Sequence, residues 1–577
     1  MRHFLLVIVG LFASLFVRAA DKPNIVVILA DDQGWGDLSI NGNKNLATPN
    51  IDSLGRGGVM LDRFYVCPVC SPTRAEFLTG RYHPRGGVFN VTTGGERLNT
   101  DVKTIADTFK AAGYATGAFG KWHNGSQWPY HPNARGFDEY YGFTSGHWGE
   151  YFDPPLEHNG KFVRGKGYIT DDLTDHALGF IEKNKKRPFF CYLPLNTPHS
   201  PFCVPDEYWN RFKDKPISMR GKDSDNEDLP VTRCALAMCE NIDWNVGRLL
   251  KQLDALKLAN DTIVIYFSDN GPNSSRWNAG MKGRKGSTDE GGVRSAFLMR
   301  WPAKLKPGRT VREITSAIDL LPTLASLAGV PLIGKEPLDG KDLSTLLLGT
   351  ARDWPDRMIF NHWNGKVSVR TRQYRLDERG ALFDMVADPG QTAPVNKPEV
   401  AARLSKVVAA WRADTLLPKE ERPFTVGYKE FPITPLPARD GVPHGNVRRS
   451  ARAPNCSYFE NWTSPDDSMT WDIAVHTTGE YEAVIHYTCP QADAGSTIEL
   501  SLNNAKLTGQ IAPAWDPPLI DNQDRVPRKG ESYLKEFHEL RLGKFRLEQG
   551  RGLLTLRALR VAGKQVADVR LVTLTLK

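Results

Sequence analysis

Residues Pro23 to Ala30 form a continuous apolar run, rich in β-branched side chains, that ends abruptly on Asp31 and Asp32. A run without polar alternation fits a strand covered on both faces, the usual state of a strand inside a parallel sheet. The same arrangement recurs downstream, each time with a helix in front of the strand. Ile105, Ala106 and Phe109 fall at helical spacing within Thr104 to Ala112, and the strand Ala115 to Phe119 then leads into Gly120, Lys121, Trp122 and His123. A helix around Leu173 to Glu182 precedes the strand Phe189 to Leu193 and the segment Asn196 to His199. A long helix from about Cys234 to Leu256 precedes the strand Thr262 to Phe267, which ends on Ser268, Asp269 and Asn270. This alternation predicts an α/β fold with a mostly parallel sheet flanked by helices. In such folds the site lies beyond the carboxyl ends of the strands, where each of these polar clusters falls.

The 577 residues leave room for roughly two to four domains. From Trp354 to Pro423 the pattern shortens to strands at Lys366 to Arg370 and Leu382 to Asp384 and a helix at Val400 to Trp411. This predicts a small α+β subdomain packed on the first domain and walling one side of its cleft. Five prolines (432, 435, 437, 443 and 454) then fall between Gly427 and Pro454, without periodicity, and predict a semi-rigid linker. Beyond it the period becomes two, in Trp471 to Val475, Tyr481 to Tyr487, Ile498 to Leu502, Leu553 to Leu556 and Val569 to Leu576, as expected of an all-β sandwich. The expected division is a signal peptide over 1–19, the α/β domain over 20–350, the α+β subdomain over 351–426, the linker over 427–449 and the β-sandwich over 450–577. The sandwich reads either as a carbohydrate-binding module or as a structural lid. Trp471 and Tyr481 alternate toward its core, whereas Trp462 and Trp515 sit in loop-like contexts suited to binding.

Compartment and partners are bounded more simply. Arg2 and His3 precede the apolar run Phe4 to Val17, which closes on the small-x-small pattern Val17-Arg18-Ala19. The run is shorter than the roughly 20 residues a membrane span needs, so a signal peptide and a secreted or periplasmic protein are expected, with no membrane anchor. A net charge of +8 without a long basic block gives little support to a dedicated nucleic-acid surface, and 40% apolar with 24% charged residues excludes disorder. Eight cysteines are few for a secreted chain of this size, so a core holds it together; Cys456 and Cys489, isolated in the last third, are candidates to pair.

The most specific segment is Cys70-Ser71-Pro72-Thr73-Arg74 followed by Leu78-Thr79-Gly80-Arg81. It resembles the signature of the type I sulfatases, Cys-x-Pro-Ser/Thr-x or -Arg with a Leu-Thr-Gly-Arg tail, and the resemblance extends over about 23–425 through further motifs in family order. It implies an alkaline-phosphatase-like fold and a Cys70 converted to formylglycine by a sulfatase-maturing enzyme. Cys67 and Cys70 also make a Cys-x-x-Cys, which alone reads as a redox pair or half a zinc site, but no second such pair accompanies it. The resemblance further implies one Ca²⁺ held by Asp31, Asp32, Asp269, Asn270 and the oxygen at position 70, a set of hard donors suited to that ion. Arg74 then stabilises the hydrate, Lys121 and Lys285 clamp sulfate oxygens, His123 assists release of sulfate, and His199 with Lys285 protonates the departing alcohol. Lys282 is the local competitor of Lys285. Asp289 departs from the family pattern, standing where relatives carry an aromatic residue before Glu290-Gly291-Gly292.

The substrate is less legible. Trp122, Trp128, His131, Tyr140, Tyr141, His147, Trp148, Glu150, His158 and Trp363 lie in segments that could border the cleft. The pattern is similar to arylsulfatases and N-acetylgalactosamine-sulfatases, which implies a sulfated carbohydrate or aryl sulfate as substrate, the carbohydrate being preferred. The alternatives are a phosphonate or phosphate ester hydrolase of the same superfamily and a non-catalytic glycan-binding protein. The Cys-x-Pro-x-Arg context argues against the first, and the completeness of the polar set against the second.

Overall fold

The computed structural model describes residues 22–416, 418 and 420–577; the expected signal peptide lies outside them. The apolar run becomes the strand Asn24–Ala30, buried along its whole length at the centre of an eleven-stranded sheet. It pairs in parallel with Thr262–Ser268 on one side and Phe189–Pro194 on the other, in a register that sets Ala30 opposite Ser268 and Ile28 opposite Leu193. Ala115–Lys121 and Glu139–Phe143 continue the sheet in parallel, and antiparallel pairs appear toward both edges. Two apolar clusters cover the faces, one built around Val26, Ile28 and the helices Ile169–Asn184 and Leu229–Ala255, the other around Ile25, Val27, Leu29 and Phe77. Burial on both faces explains why these strands lack polar alternation. The helix Ile105–Ala111 starts on a capping box in which Thr104 Oγ1 accepts from the Asp107 amide and Asp107 accepts from the Thr104 amide.

The four strands Ile359–Trp363, Lys366–Arg370, Tyr374–Leu376 and Leu382–Asp384 form an antiparallel sheet backed by the helix Pro398–Thr415. The chain then builds two six-stranded sheets that face one another across a core containing Trp471, Tyr481, Phe459 and Trp462. Three expectations are corrected here. The prolines of 427–449 do not make a free linker: Ile433–Pro437 is a strand paired along Asp568–Leu576, and Val442–His444 pairs with Ser468–Val475. Proline lacks the donor a central strand needs but serves on an edge strand, which this segment is. Trp462 is fully buried in the sandwich, not exposed, whereas Trp515 is 39% exposed. Cys456 and Cys489 are free buried thiols; Cys456 Sγ donates to the His147 carbonyl and Cys489 Sγ to that of Pro490.

The sandwich is also docked, not tethered. Arg525 donates to the Val204 carbonyl at 2.7 Å and Arg528 to that of Gly149 at 2.8 Å, while Arg570 pairs with Glu150 at 3.3 Å. Among the described residues no helix is long and apolar enough to cross a membrane.

Candidate active site

Four neighbouring parallel strands deliver their carboxyl ends to one place. Asp31 and Asp32 follow Ala30, Asp269 and Asn270 follow Ser268, Lys121 closes its own strand with His123 just beyond, and His199 lies a short turn past Pro194. Asp32 and His123 both adopt left-handed backbone, with φ of 64° and 63°. Asp and His tolerate that region better than most side chains, and such strain clusters where side chains must be re-aimed.

Cys70 is the first residue of the helix Cys70–Thr79, all of which is buried. Thr73 pins this helix to the strand ends: its hydroxyl donates to the Asp269 carbonyl at 2.6 Å and accepts from the Cys67 amide at 2.8 Å. Cys70 Sγ and carboxylate oxygens of Asp31 and Asp269 consequently lie within 4.8 Å of one another. One turn along, the fully buried Arg74 donates to Asp269 through Nη2 at 2.8 Å and to the Lys121 carbonyl through Nη1 at 2.7 Å.

The charges interlock. Lys121 Nζ sits 2.5 Å from Asp31 Oδ2, and Lys285 Nζ sits 2.7 and 2.8 Å from the two oxygens of Asp32. Burial opposes ionisation of both aspartates, yet Lys121 holds Asp31, and Lys285 holds Asp32, below the ordinary carboxylate range. Asp269 moves the other way, raised to about 7 by burial and by the Asp31 carboxylate against the pull of Arg74. Burial likewise pushes the Cys70 thiol up, against Lys121 and Lys285. Lys285 is kept above its usual range by Asp32 despite burial. Its loop packs closely only because Gly291 and Gly292 lack side chains: a Cβ there would lie 2.4 Å from the Gly283 carbonyl oxygen and 2.1 Å from that of Ser287.

The two histidines have defined free nitrogens. His123 Nε2 lies 2.8 Å from the Val91 carbonyl, which can only accept, so Nε2 carries hydrogen and the buried, unpartnered Nδ1 presents a lone pair. Burial and then Lys121 hold this imidazole well below its ordinary range, so it is neutral. His199 Nδ1 donates to the Ser200 carbonyl at 2.6 Å, leaving Nε2 3.5 Å from Asp32 Oδ2.

A cation test follows from the oxygens. Asp31 Oδ1 and Asn270 Oδ1 are buried and accept no hydrogen bond among the described residues, while Asn270 Nδ2 donates to Asp32 Oδ1 at 2.7 Å and turns its own oxygen outward from that contact. Orphaned hard oxygens beside two more carboxylates fit a Ca²⁺-type ion better than a soft-ligand metal.

All ten residues singled out for chemistry from the sequence thus meet at one end of the sheet. Lys282 is not among them: it lies over the Phe383 ring, 3.5 Å from Asp289 and 3.6 Å from Asp377. Asp289 is engaged by Gln391 and Arg375, and so anchors the α+β subdomain in place of lining the site. Of the aromatic and polar residues expected near the cleft, Trp122, Tyr140 and Tyr141 are core, and His131 bonds Glu157 at 2.6 Å. His147 packs against a site residue, its ring centroid 5.4 Å from that of His199. Glu531, which reaches the same spot from the sandwich, has no local sequence signal.

A cradle gathering this much fixed positive charge around hard oxygen donors suits a tetrahedral oxyanion, and the class it defines is that of hydrolases acting on such esters. The chain belongs to the sulfatase family, the sulfuric ester hydrolases, whose family model matches residues 23–330. It is 31% identical over 471 residues to the steryl-sulfatase of Mus musculus, spanning 63% of this chain and 72% of that one. It is 33% identical over 427 residues to arylsulfatase A of Homo sapiens, spanning 66% and 80%. Among solved structures, Ps i-CgsB in complex with k-i-k-neocarrahexaose superposes with a TM-score of 0.62 at 33% identity, over 68% of this chain and 94% of that one.

Proposed function

We propose that this chain is a secreted or periplasmic sulfatase that removes sulfate from sulfated carbohydrates, with Cys70 carried as formylglycine and one Ca²⁺ held by Asp31, Asp32, Asp269, Asn270 and the oxygen at position 70. The observation that carries this reading is the convergence of Cys70 with Asp31 and Asp269 beside the unpartnered oxygens of Asp31 and Asn270. Formylglycine hydrate would supply one hydroxyl for attack on sulfur and a second whose proton can be withdrawn to expel sulfate. The calcium ion would neutralise oxygen charge on the ester. Asp31, Asp32 and Asp269 are already matched in charge by Lys121, Lys285 and Arg74, so a bound dication leaves the site net positive toward an anionic ester.

The chain's own residues take the remaining roles. Lys121 and Lys285, held rigidly by their aspartates, are placed to bind sulfate oxygens, where fixed charge in a dry site is worth most. Arg74 orients the residue one turn before it on the helix. His123 Nδ1, neutral with a free lone pair, is a base for a hydroxyl proton, and His199, when it carries a second proton on Nε2 facing Asp32, is the acid that can hand that proton to the leaving alcohol. The carbohydrate preference draws on the hexaose bound by Ps i-CgsB. A panel of defined sulfated mono- and oligosaccharides, assayed beside a phosphate monoester and a phosphonate monoester, tests the reading. Sulfate release from at least one saccharide is expected, and hydrolysis of the phosphorus esters alone would overturn it.

A further inference from the structure

The cavity that opens beside His199 has a second wall from an unexpected part of the chain. It encloses about 400 Å³ and is lined by Asp32, His199 and Lys285 on one side and by Val526, Arg528 and Glu531 of the sandwich on the other. That volume lies in the range of small-molecule sites. The loop over 524–531 is held firmly. Arg528 is clasped by Asp524 at 2.7 Å and donates to the Gly149 carbonyl at 2.8 Å, the Arg525 amide donates to the Phe202 carbonyl at 2.8 Å, and Cys203 Sγ donates to Asp524 at 3.1 Å.

Glu531 is the polar tip of this wall. Its Oε1 accepts from the Ser200 hydroxyl at 2.5 Å and lies 3.7 Å from His147 Nδ1, while Oε2 makes no hydrogen bond among the described residues. Both ring nitrogens of His147 are buried and make no hydrogen bond among the described residues. Burial opposes ionisation of Glu531, but His147 and His199, with the Ser200 hydrogen bond and Arg528, hold its carboxyl below the ordinary range; because burial also holds His147 itself down to about 3, the Ser200 bond and the Arg528 guanidinium are the partners that persist at neutral pH. A fixed carboxylate oxygen with nothing to accept, lining the space next to the residue that faces the leaving alcohol, is a built acceptor for a donor on that alcohol.

We propose that Glu531, delivered by the β-sandwich, determines specificity for the leaving group: it accepts a hydrogen bond from a hydroxyl or N–H beside the sulfate ester, and so favours a polyhydroxylated alcohol over a simple aryl one. The inference rests on the sulfatase reading above and deepens it. It also gives the sandwich a role inside the catalytic pocket.

The test compares full-length wild type with Glu531→Gln and Glu531→Ala, each corrected for its fraction of formylglycine. The readout is the ratio of kcat/KM for the best sulfated monosaccharide of the panel to kcat/KM for 4-nitrophenyl sulfate. Sites built around a buried charged acceptor lose about 10- to 100-fold when the bond is removed, so the ratio should fall by that factor in the alanine variant. Glu531→Gln keeps the shape and an oxygen for Ser200, and should fall between. Equal losses on both esters would mean a purely structural role and overturn the proposal, as would an unchanged ratio. Wild type inert toward both esters would overturn the sulfatase reading together with this inference.

Discussion

Lys282 and Lys285 are three residues apart on one loop, yet their removal should have opposite consequences. Lys285 Nζ lies 2.7 and 2.8 Å from the Asp32 oxygens, with its side chain 22% exposed; Lys282 is 40% exposed and lies 3.5 Å or more from its carboxylates. If Lys285 binds a sulfate oxygen in the transition state, removing it deletes one preorganised charged donor, which costs about 10² to 10³ in kcat, or about 2.7–4 kcal/mol. Removing Lys282 breaks loose, partly exposed ion pairs and a cation–π contact with Phe383, each worth about 0–1 kcal/mol of stability, and leaves turnover within about twofold. Initial rates on 4-nitrophenyl sulfate for Lys285→Ala and Lys282→Ala, normalised to formylglycine content, make the comparison. Bound calcium should be retained in both, because Asp32 keeps its contact from Asn270 at 2.7 Å and none of the proposed ligands is changed. Similar losses in the two variants, or a larger loss in Lys282→Ala, would show that Lys285 is not the lysine that binds sulfate.

Two further outcomes follow. Calcium at about 100 times its dissociation constant should stabilise wild type by about 2.7 kcal/mol in denaturant unfolding and leave Asp269→Ala unaffected; tetrahedral zinc, or undiminished activity in Asp269→Ala, would contradict the ligand set. His83, buried with Nδ1 donating to the Val88 carbonyl at 2.7 Å, is held down to about 4 by its burial, against an ordinary 6.5. Being neutral in the fold, it costs nothing above pH 6.5, and stability is lost as pH falls from 6.5 toward 4, by roughly 3 kcal/mol in all; His83→Gln should flatten that decline in urea midpoints, and an unchanged slope would count against it.

The sheet and its site were legible because they rest on local patterns. Strands buried on both faces must be continuously apolar, so Asn24–Ala30 and Thr262–Ser268 announce themselves, and the polar residues that interrupt them fall at the carboxyl ends by necessity. The period of two betrayed the sandwich in the same way. What stayed hidden depends on contacts distant in sequence. Prolines mark an interruption, and nothing local says that Ile433–Pro437 will find an edge position beside Asp568–Leu576. Trp462, in a polar Asn-Trp-Thr context, reads as exposed until two sheets close over it. Glu531 is one acidic residue in an irregular loop, and its meeting with Ser200 arises only when the sandwich docks. Asp289 reads only as a departure from the family's aromatic position, and its bonds to Arg375 and Gln391 form only in the folded subdomain.

The central claim, sulfate-ester hydrolysis through a converted Cys70, is tested most directly by measuring sulfate release against the fraction of formylglycine at position 70. Preparations with different degrees of conversion, quantified by intact-peptide mass spectrometry across residues 64–81, supply the series. Specific activity should be proportional to that fraction, with a line through the origin and no turnover in Cys70→Ala; full activity from protein whose Cys70 is entirely unmodified would show that the thiol's conversion is not needed.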